Sequence, residues 1–154
     1  MMHRFISIFL MLGFIAMLAA CASGPPLGGQ EPYRGQVAAG VVQPPGPEGD
    51  LIQRRLLAGL KPSDAFAGVY PLMSSTQSTE AEVLIEPVVL ESRLGSRGFE
   101  RLRLQVRAYQ KNNRGNRFDK GYTGKAAGNR DALDDILKPL ERDLKRRFGA
   151  KPVY

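Results

Sequence analysis

The sequence predicts an α+β fold: a small mixed or antiparallel sheet, made of a three-stranded meander plus one or two short strands, packed by two helices. Three observations predict it. Residues 99–109 alternate strictly between apolar and polar side chains, the period of a strand with one buried and one wet face. The turn-forming run Asn112-Asn113-Arg114-Gly115-Asn116 follows and folds the next segment back antiparallel. Residues 129–148 then place Leu133, Ile136, Leu137, Leu140, Leu144 and Phe148 in an apolar stripe at helical spacing.

The other elements read in chain order. Residues 23–49 are rich in Gly and Pro, as in Pro44-Pro45-Gly46-Pro47, which favours a tether over a packed element. Inside that stretch the valines of residues 36–42 favour a short strand and Gly40 weakens it, so the sequence leaves open whether residues 35–42 join the sheet. Asp50 is expected to cap a helix over 51–60, with Ile52, Leu56 and Leu60 on its apolar side. Residues 66–70 predict a short strand ended by Pro71, and residues 74–79 a polar loop. Residues 81–92 are apolar on both sides, as in a central strand covered twice; Pro87 requires a bulge or an edge position at that point.

The turn at 94–98 leads into the alternating strand. Leu102, Leu104, Val106 and Ala108 face one way; Arg101, Arg103, Gln105 and Arg107 face the other. On the returning strand, 117–126, Phe118, Tyr122 and Ala126 are expected on the buried face, and Arg117, Asp119, Thr123 and Lys125 on the wet one. Asn129 is expected to cap the last helix, Asp131, Asp134 and Asp135 to suit its N-terminus, and Lys145, Arg146 and Arg147 its C-terminus. Gly149 suits its end, and Pro139 predicts a kink.

The N-terminus is of another kind. His3 and Arg4 precede an apolar run from Phe5 to Leu18, the length of a signal-peptide core. A spanning helix needs about 20 apolar residues, and Gly24-Pro25-Pro26 blocks that extension. The run closes on Leu18-Ala19-Ala20-Cys21, which resembles the lipobox of bacterial lipoproteins and holds the single cysteine of the chain. The resemblance implies cleavage between Ala20 and Cys21, then a diacylglyceryl thioether and an amide-linked acyl chain on Cys21, with no other cofactor. Two or more acyl chains hold a protein stably where one does not. Ala22 is not the aspartate associated with inner-membrane retention, so the resemblance implies an outer-membrane lipoprotein facing the periplasm. The expected division is a signal peptide over 1–20, a lipidated tether over 21–34, a single domain over 35–148 and a tail over 149–154.

Processing of that kind would remove the only histidine and consume the only thiol. Ser-His-Asp and Cys-His nucleophile systems and His/Cys metal clusters are then excluded, leaving carboxylate-only chemistry. No catalytic residue and no metal ligand is assigned. Asp134 and Asp135 are adjacent and do not face each other on a helix. Gly121-Tyr122-Thr123-Gly124-Lys125 lacks the spacing and context of a phosphate loop.

Charge is uneven. Residues 22–92 hold four Lys/Arg against eight Asp/Glu; residues 93–154 hold seventeen against seven. A basic half implies anionic partners, and export makes nucleic acid an unsuitable one. The order of elements, with "LIQRRLLAGLKPSDAFAGVYPL" before the long strands and "YTGKAAGNRDALDDILKPLERDLKRRF" after them, resembles small envelope lipoproteins whose domains are similar to the TolB N-terminal domain and to CsgG-like and penicillin-binding-protein-activator lipoproteins. The resemblance covers about residues 35–148. The larger insertions of CsgG-like pore formers are missing, so no pore is implied, and only Cys21 carries over as a functional residue.

The expectation is a non-enzymatic binding or assembly factor, joined to the membrane by its lipid and to an envelope protein or anionic envelope component by a basic face. That face is Arg101, Arg103, Arg107, Arg117 and Lys125, because alternate strand residues stand about 7 Å apart on one side and guanidinium groups grip phosphates and carboxylates. A solvated sheet face, partly neutralised by Glu82 and Glu86, is the more ordinary reading of the same residues. The alternative function is a carrier for lipid or lipopolysaccharide, with its ligand between the sheet and the helix from Leu133 to Phe148.

Overall fold

The structure is a computed structural model and describes residues 37–149, the side chain of Arg114 excepted. The signal segment, Ala20, Cys21 and the tether over 21–34 lie outside the described residues. The elements are β1 (Ala38–Val42), α1 (Gly49–Leu60), β2 (Gly68–Leu72), β3 (Val83–Gly95), β4 (Gly98–Gln110), β5 (Asn113–Lys125) and α2 (Ala132–Phe148). They form an α+β fold: one five-stranded mixed sheet in the order β2-β1-β3-β4-β5, with two helices.

β1 joins the sheet, which answers the question left open over residues 35–42. It runs parallel to both β2 and β3, with Ala39 opposite Val69 and Val83. Small residues are required there. A Cβ on Gly40 would overlap the Leu72 side chain and lie 3.3 Å from Ala81 Cβ. α1 makes the crossover between β1 and β2, as parallel neighbours demand. Its buried Gln53 donates from Nε2 to the carbonyls of Val41 and Leu72, both at 2.8 Å, tying the helix to the ends of those strands.

β3, β4 and β5 are the predicted meander, antiparallel throughout. Leu102, Leu104, Val106 and Ala108 are buried with Ile136, Leu140 and Leu144 of α2, so the alternating strand turns its predicted face to the helices. Pro87 is accommodated without a bulge of its own. β1 pairs with β3 only as far as Ile85, so at Pro87 β3 has β4 alone as a neighbour, the edge position that proline tolerates. The register shifts fall later, one between Val89 and Glu91, leaving Leu90 as an extra residue and 54% exposed, and one between Arg93 and Leu94, leaving Glu100 extra on β4.

Several local expectations are corrected. Asp50 does not cap α1. Glu48 holds the N-cap position without a side-chain bond, and Asp50 sits in the first turn, paired with Arg54 at 2.5 Å. Asn129 does not cap α2 either. Asp131 does, accepting from the Leu133 and Asp134 backbone N–H groups, while Asp134 returns the bond to the Asp131 N–H. β2 continues through Pro71 to Leu72 because it is an edge strand. Ala126 is exposed and lies beyond β5. The β4–β5 connection is only Lys111-Asn112, and no non-glycine described residue has positive φ. The extra residues 114–116 are instead absorbed in a break of register after Tyr109. Pro139 lies inside α2, and the helix continues on both sides of it.

Two glycines set how α2 seats. Gly98 has φ +122°, and a Cβ there would come within 2.5 Å of Asp131 Oδ2. A Cβ on Gly124 would overlap the Ala132 carbonyl oxygen. The first turn of α2 thus rests directly on backbone of β4 and β5.

Candidate functional site: a basic open sheet face

Both helices contribute to one core with the helix-facing side of the sheet, so the other side of the meander is open. The five predicted residues all lie on it and are all exposed. Register decides which come together. Arg101 stands opposite Lys125 on β5 and opposite Arg93 on β3, giving three cations in one row across three strands. Arg107 stands opposite Asp119 and Glu86, and Arg117 opposite Tyr109. Arg103 stands between the two groups, opposite Thr123 and Glu91. The row predicted from periodicity is therefore two clusters with one arginine between them.

Each cluster lines a shallow hollow. Arg93, Arg101 and Lys125, with Glu91 and Glu100, line one of about 390 Å³. Arg107 and Arg117, with Leu84, Tyr109 and Phe118, line one of about 710 Å³ whose floor is partly apolar. Arg93 was missed in the sequence because its facing depends on the Leu90 bulge. Without the extra residue, Arg93 would point to the helix side.

Ion pairs neutralise part of this face. Arg93 Nε is 3.0 Å from Glu100, Arg101 Nη1 is 3.5 Å from Glu91, and Arg107 Nε is 3.5 Å from Asp119. Glu86 accepts from the Tyr109 hydroxyl at 3.0 Å instead of pairing with an arginine. Burial, followed by that carboxylate, pushes the Tyr109 phenol up. Among the described residues, Arg103, Arg117 and Lys125 make no ion pair within 4.0 Å. Like charges directly opposite on neighbouring strands oppose pairing; Glu100 and Glu91 answer Arg93 and Arg101, so Lys125, with Arg103 beside the row, is left to attract an anion. Glu82 makes no ion pair with this face among the described residues, contrary to the expectation that it neutralises it.

The helix side holds two other charged clusters, and each has a structural task. Arg55 of α1 bonds both oxygens of Asp131, at 2.6 and 3.2 Å, and Asp134 at 2.7 Å. Burial alone would raise the Asp131 carboxyl; Arg55 and the Asp134 and Leu133 N–H groups outweigh it and hold it below the usual range. Asp131 in turn raises Arg55. The buried Asp143 of α2 accepts from Lys120 Nζ at 2.6 Å and from the Tyr122 hydroxyl at 2.9 Å. Lys120 is the main cause that lowers Asp143, against burial and with help from Tyr122. Tyr122 is raised by burial first and by Asp143 next.

These shifts give a pH prediction. Asp131 and Asp143 are depressed in the folded state, so their contribution is complete above the unfolded carboxylate value of about 3.9 and is lost as pH falls through the folded values. Tyr122 is raised, so its contribution holds below the unfolded phenol value of about 10 and declines as pH climbs past it. Denaturant midpoints should therefore form a plateau from about pH 4 to 10. Asp143→Asn should flatten the acid limb, and an unchanged acid limb in that variant would contradict the assignment.

The seat of α2 is closely filled. Leu133, Ile136, Leu140 and Leu144 are at most 1% exposed, and a Cβ on Gly59 would come within 2.6 Å of Leu137. Protein occupies the gap that the carrier alternative requires at this place. Among the described residues no group of three metal-ligating side chains stands together.

The fold and this face define a small α+β domain that presents a basic sheet surface. No protein-family model matches the chain, and no curated protein matches it. Among solved structures it is similar to a PelC dodecamer from Paraburkholderia phytofirmans, at 18% identity and TM-score 0.46, covering 80% of this chain and 95% of that one. A point variant of that dodecamer gives 16% and 0.47, covering 77% and 91%. A Xanthomonas campestris protein of the DUF330 family gives 11% and 0.43, covering 77% and 87%.

Proposed function

We propose that this chain is a lipid-anchored envelope protein that binds an anionic envelope partner through its open sheet face and helps to assemble it, without catalysis. The anchor is the lipidated Cys21, reached by cleavage after Ala20, and the place is the periplasmic face of the outer membrane. The observation that carries the reading is the cross-strand row Arg93–Arg101–Lys125, with Arg103 beside it lacking an ionic partner among the described residues. Guanidinium groups held on a rigid sheet need little reordering to grip carboxylates or phosphates. Tethering adds the rest. Confinement to a surface raises the effective concentration of the domain against a partner there, so weak contacts suffice.

The test is neutralisation of the row. A triple variant, Arg101→Gln, Arg103→Gln and Lys125→Gln, should keep its fold, because all three side chains are exposed. Truncating charged interface contacts costs about 1 kcal/mol or more each, so partner recovery from the envelope should fall by roughly 100-fold. Full recovery by the variant would overturn the docking role of this face.

A further inference from the structure

The topology gathers one end of the domain around the point where the tether enters. β1, β2 and β3 are parallel, so Ala38, Gly68 and Val83 lie at the same end of the sheet. Val83 pairs with Gln110, and Gln110 with Asn113, which brings the β4–β5 turn to that end. α1 returns from the far end of β1 to the start of β2, so Lys61 after its last turn arrives there as well. The C-terminus of α2 reaches the same place: Arg147 Nη2 donates to the Gly115 carbonyl at 3.3 Å, and Lys145 Nζ is 4.0 Å from Asp64.

This end is basic. Lys61, Lys111, Arg117, Lys145, Arg146 and Arg147 are exposed there, against Asp64, Glu80 and Glu82. The opposite end also holds cations, Arg93, Arg97, Lys125 and Arg130, but sets Glu48, Asp50, Glu91, Glu100, Asp134 and Asp135 against them. The carbonyl ends of both helices also lie at the basic end, so part of this charge answers the helix dipoles. Two helix C-termini carry only about half a charge each, less than the cations present.

We infer that this end is a membrane-contact surface for the acidic phospholipid headgroups of the bilayer that holds the anchor. The inference rests on the anchored reading above. Cys21 lies 17 residues before Ala38. Full extension, at about 3.3–3.6 Å per residue, sets the farthest that this end can stand from the anchor, and no other end of the domain is joined to it by so short a chain. Each lysine or arginine near an anionic surface is worth about fivefold in partition. Acyl chains and a basic patch together give firmer attachment than either alone. The sheet face with Arg101 and Arg103 then stands upright from the membrane, turned sideways to a partner in the same envelope layer.

The test uses the full chain, expressed in a bacterial envelope, purified with its anchor and placed in vesicles. Asn112→Cys puts a fluorophore at the basic end, and Ser96→Cys puts one at the β3–β4 turn at the opposite end. Energy transfer to a headgroup acceptor is compared in vesicles of about 30% phosphatidylglycerol, where each basic residue contributes, and in pure phosphatidylcholine. Transfer from position 112 should exceed that from 96 in the anionic vesicles. The bias should shrink in phosphatidylcholine and at about 1 M salt, where the Debye length is near 3 Å. Lys61→Gln with Lys111→Gln and Arg146→Gln should shrink it likewise. Equal transfer from the two ends in anionic vesicles, or a bias indifferent to lipid charge and salt, would overturn the inference. Intact mass reports the anchor separately. A mass without the diacylglyceryl group, with the charge-dependent bias intact, would sink the lipidation and leave the surface contact standing.

Discussion

Asp131→Ala is expected to destabilise the domain by about 3 kcal/mol, the sum of a lost N-cap and a broken, partly buried ion pair. The first part is ordinary: replacing a capping aspartate by alanine costs about 1 kcal/mol. The second depends on burial. Asp131 is 9% exposed but Arg55 is 32% exposed, so solvent screens the guanidinium and the loss falls below the 3–5 kcal/mol of a fully buried pair. The position also matters mechanically. Asp131 joins α1, through Arg55, to the turn of α2 that rests on Gly98 and Gly124. For a domain of this size such a loss lowers Tm by roughly 10–20 °C. Asp131→Asn keeps a capping oxygen and should lose less than half as much. Equal losses in the two variants would mean that packing, and not the cap and its charge, holds this corner.

Cys21→Ser is expected to abolish membrane attachment while leaving the fold intact. Cys21 precedes Ala38, where the first element of the described domain begins. The acyl chains of the proposed anchor would contribute about 0.8 kcal/mol per buried methylene, so their loss would change membrane partition by many orders of magnitude. A basic end alone cannot compensate at physiological salt, because its attraction falls off within a Debye length of about 8 Å. The expected outcome is a precursor or soluble form with wild-type circular dichroism that fails to complement a deletion. Complementation by the soluble form would show that tethering is not how the protein acts.

The sequence made the meander legible because β4 declares its two faces at every residue, from Arg101 to Ala108. It also made α2 legible, through a stripe that the structure buries from Leu133 to Phe148. What it did not yield were facts fixed by distant parts of the chain. Arg55 and Asp131 are 76 residues apart, and nothing local marks them as partners. The spacing of Asp131 and Asp134 was a readable capping-box signal, but Asn129, two residues earlier, also offered a capping side chain. Asp143 shares a helix face with Leu140 and Leu144, and a carboxylate in an apolar stripe was the available sign of a buried partner, Lys120. The basic face was legible as a set of residues and not as a site. Its division into two clusters depends on the register of β4 with β5, and the entry of Arg93 on one extra residue at Leu90, neither of which periodicity places.

The measurement that most directly tests the central claim is in-cell photo-cross-linking from position 103, with the lipid anchor intact. Arg103 is exposed, stands between the two basic clusters and makes no ion pair among the described residues. A single protein adduct, lost when Arg101 and Lys125 are neutralised, is the result that this account predicts. No adduct from position 103, with adducts appearing only from the outer flank of α2, would contradict it and leave the arginines as a solvated surface.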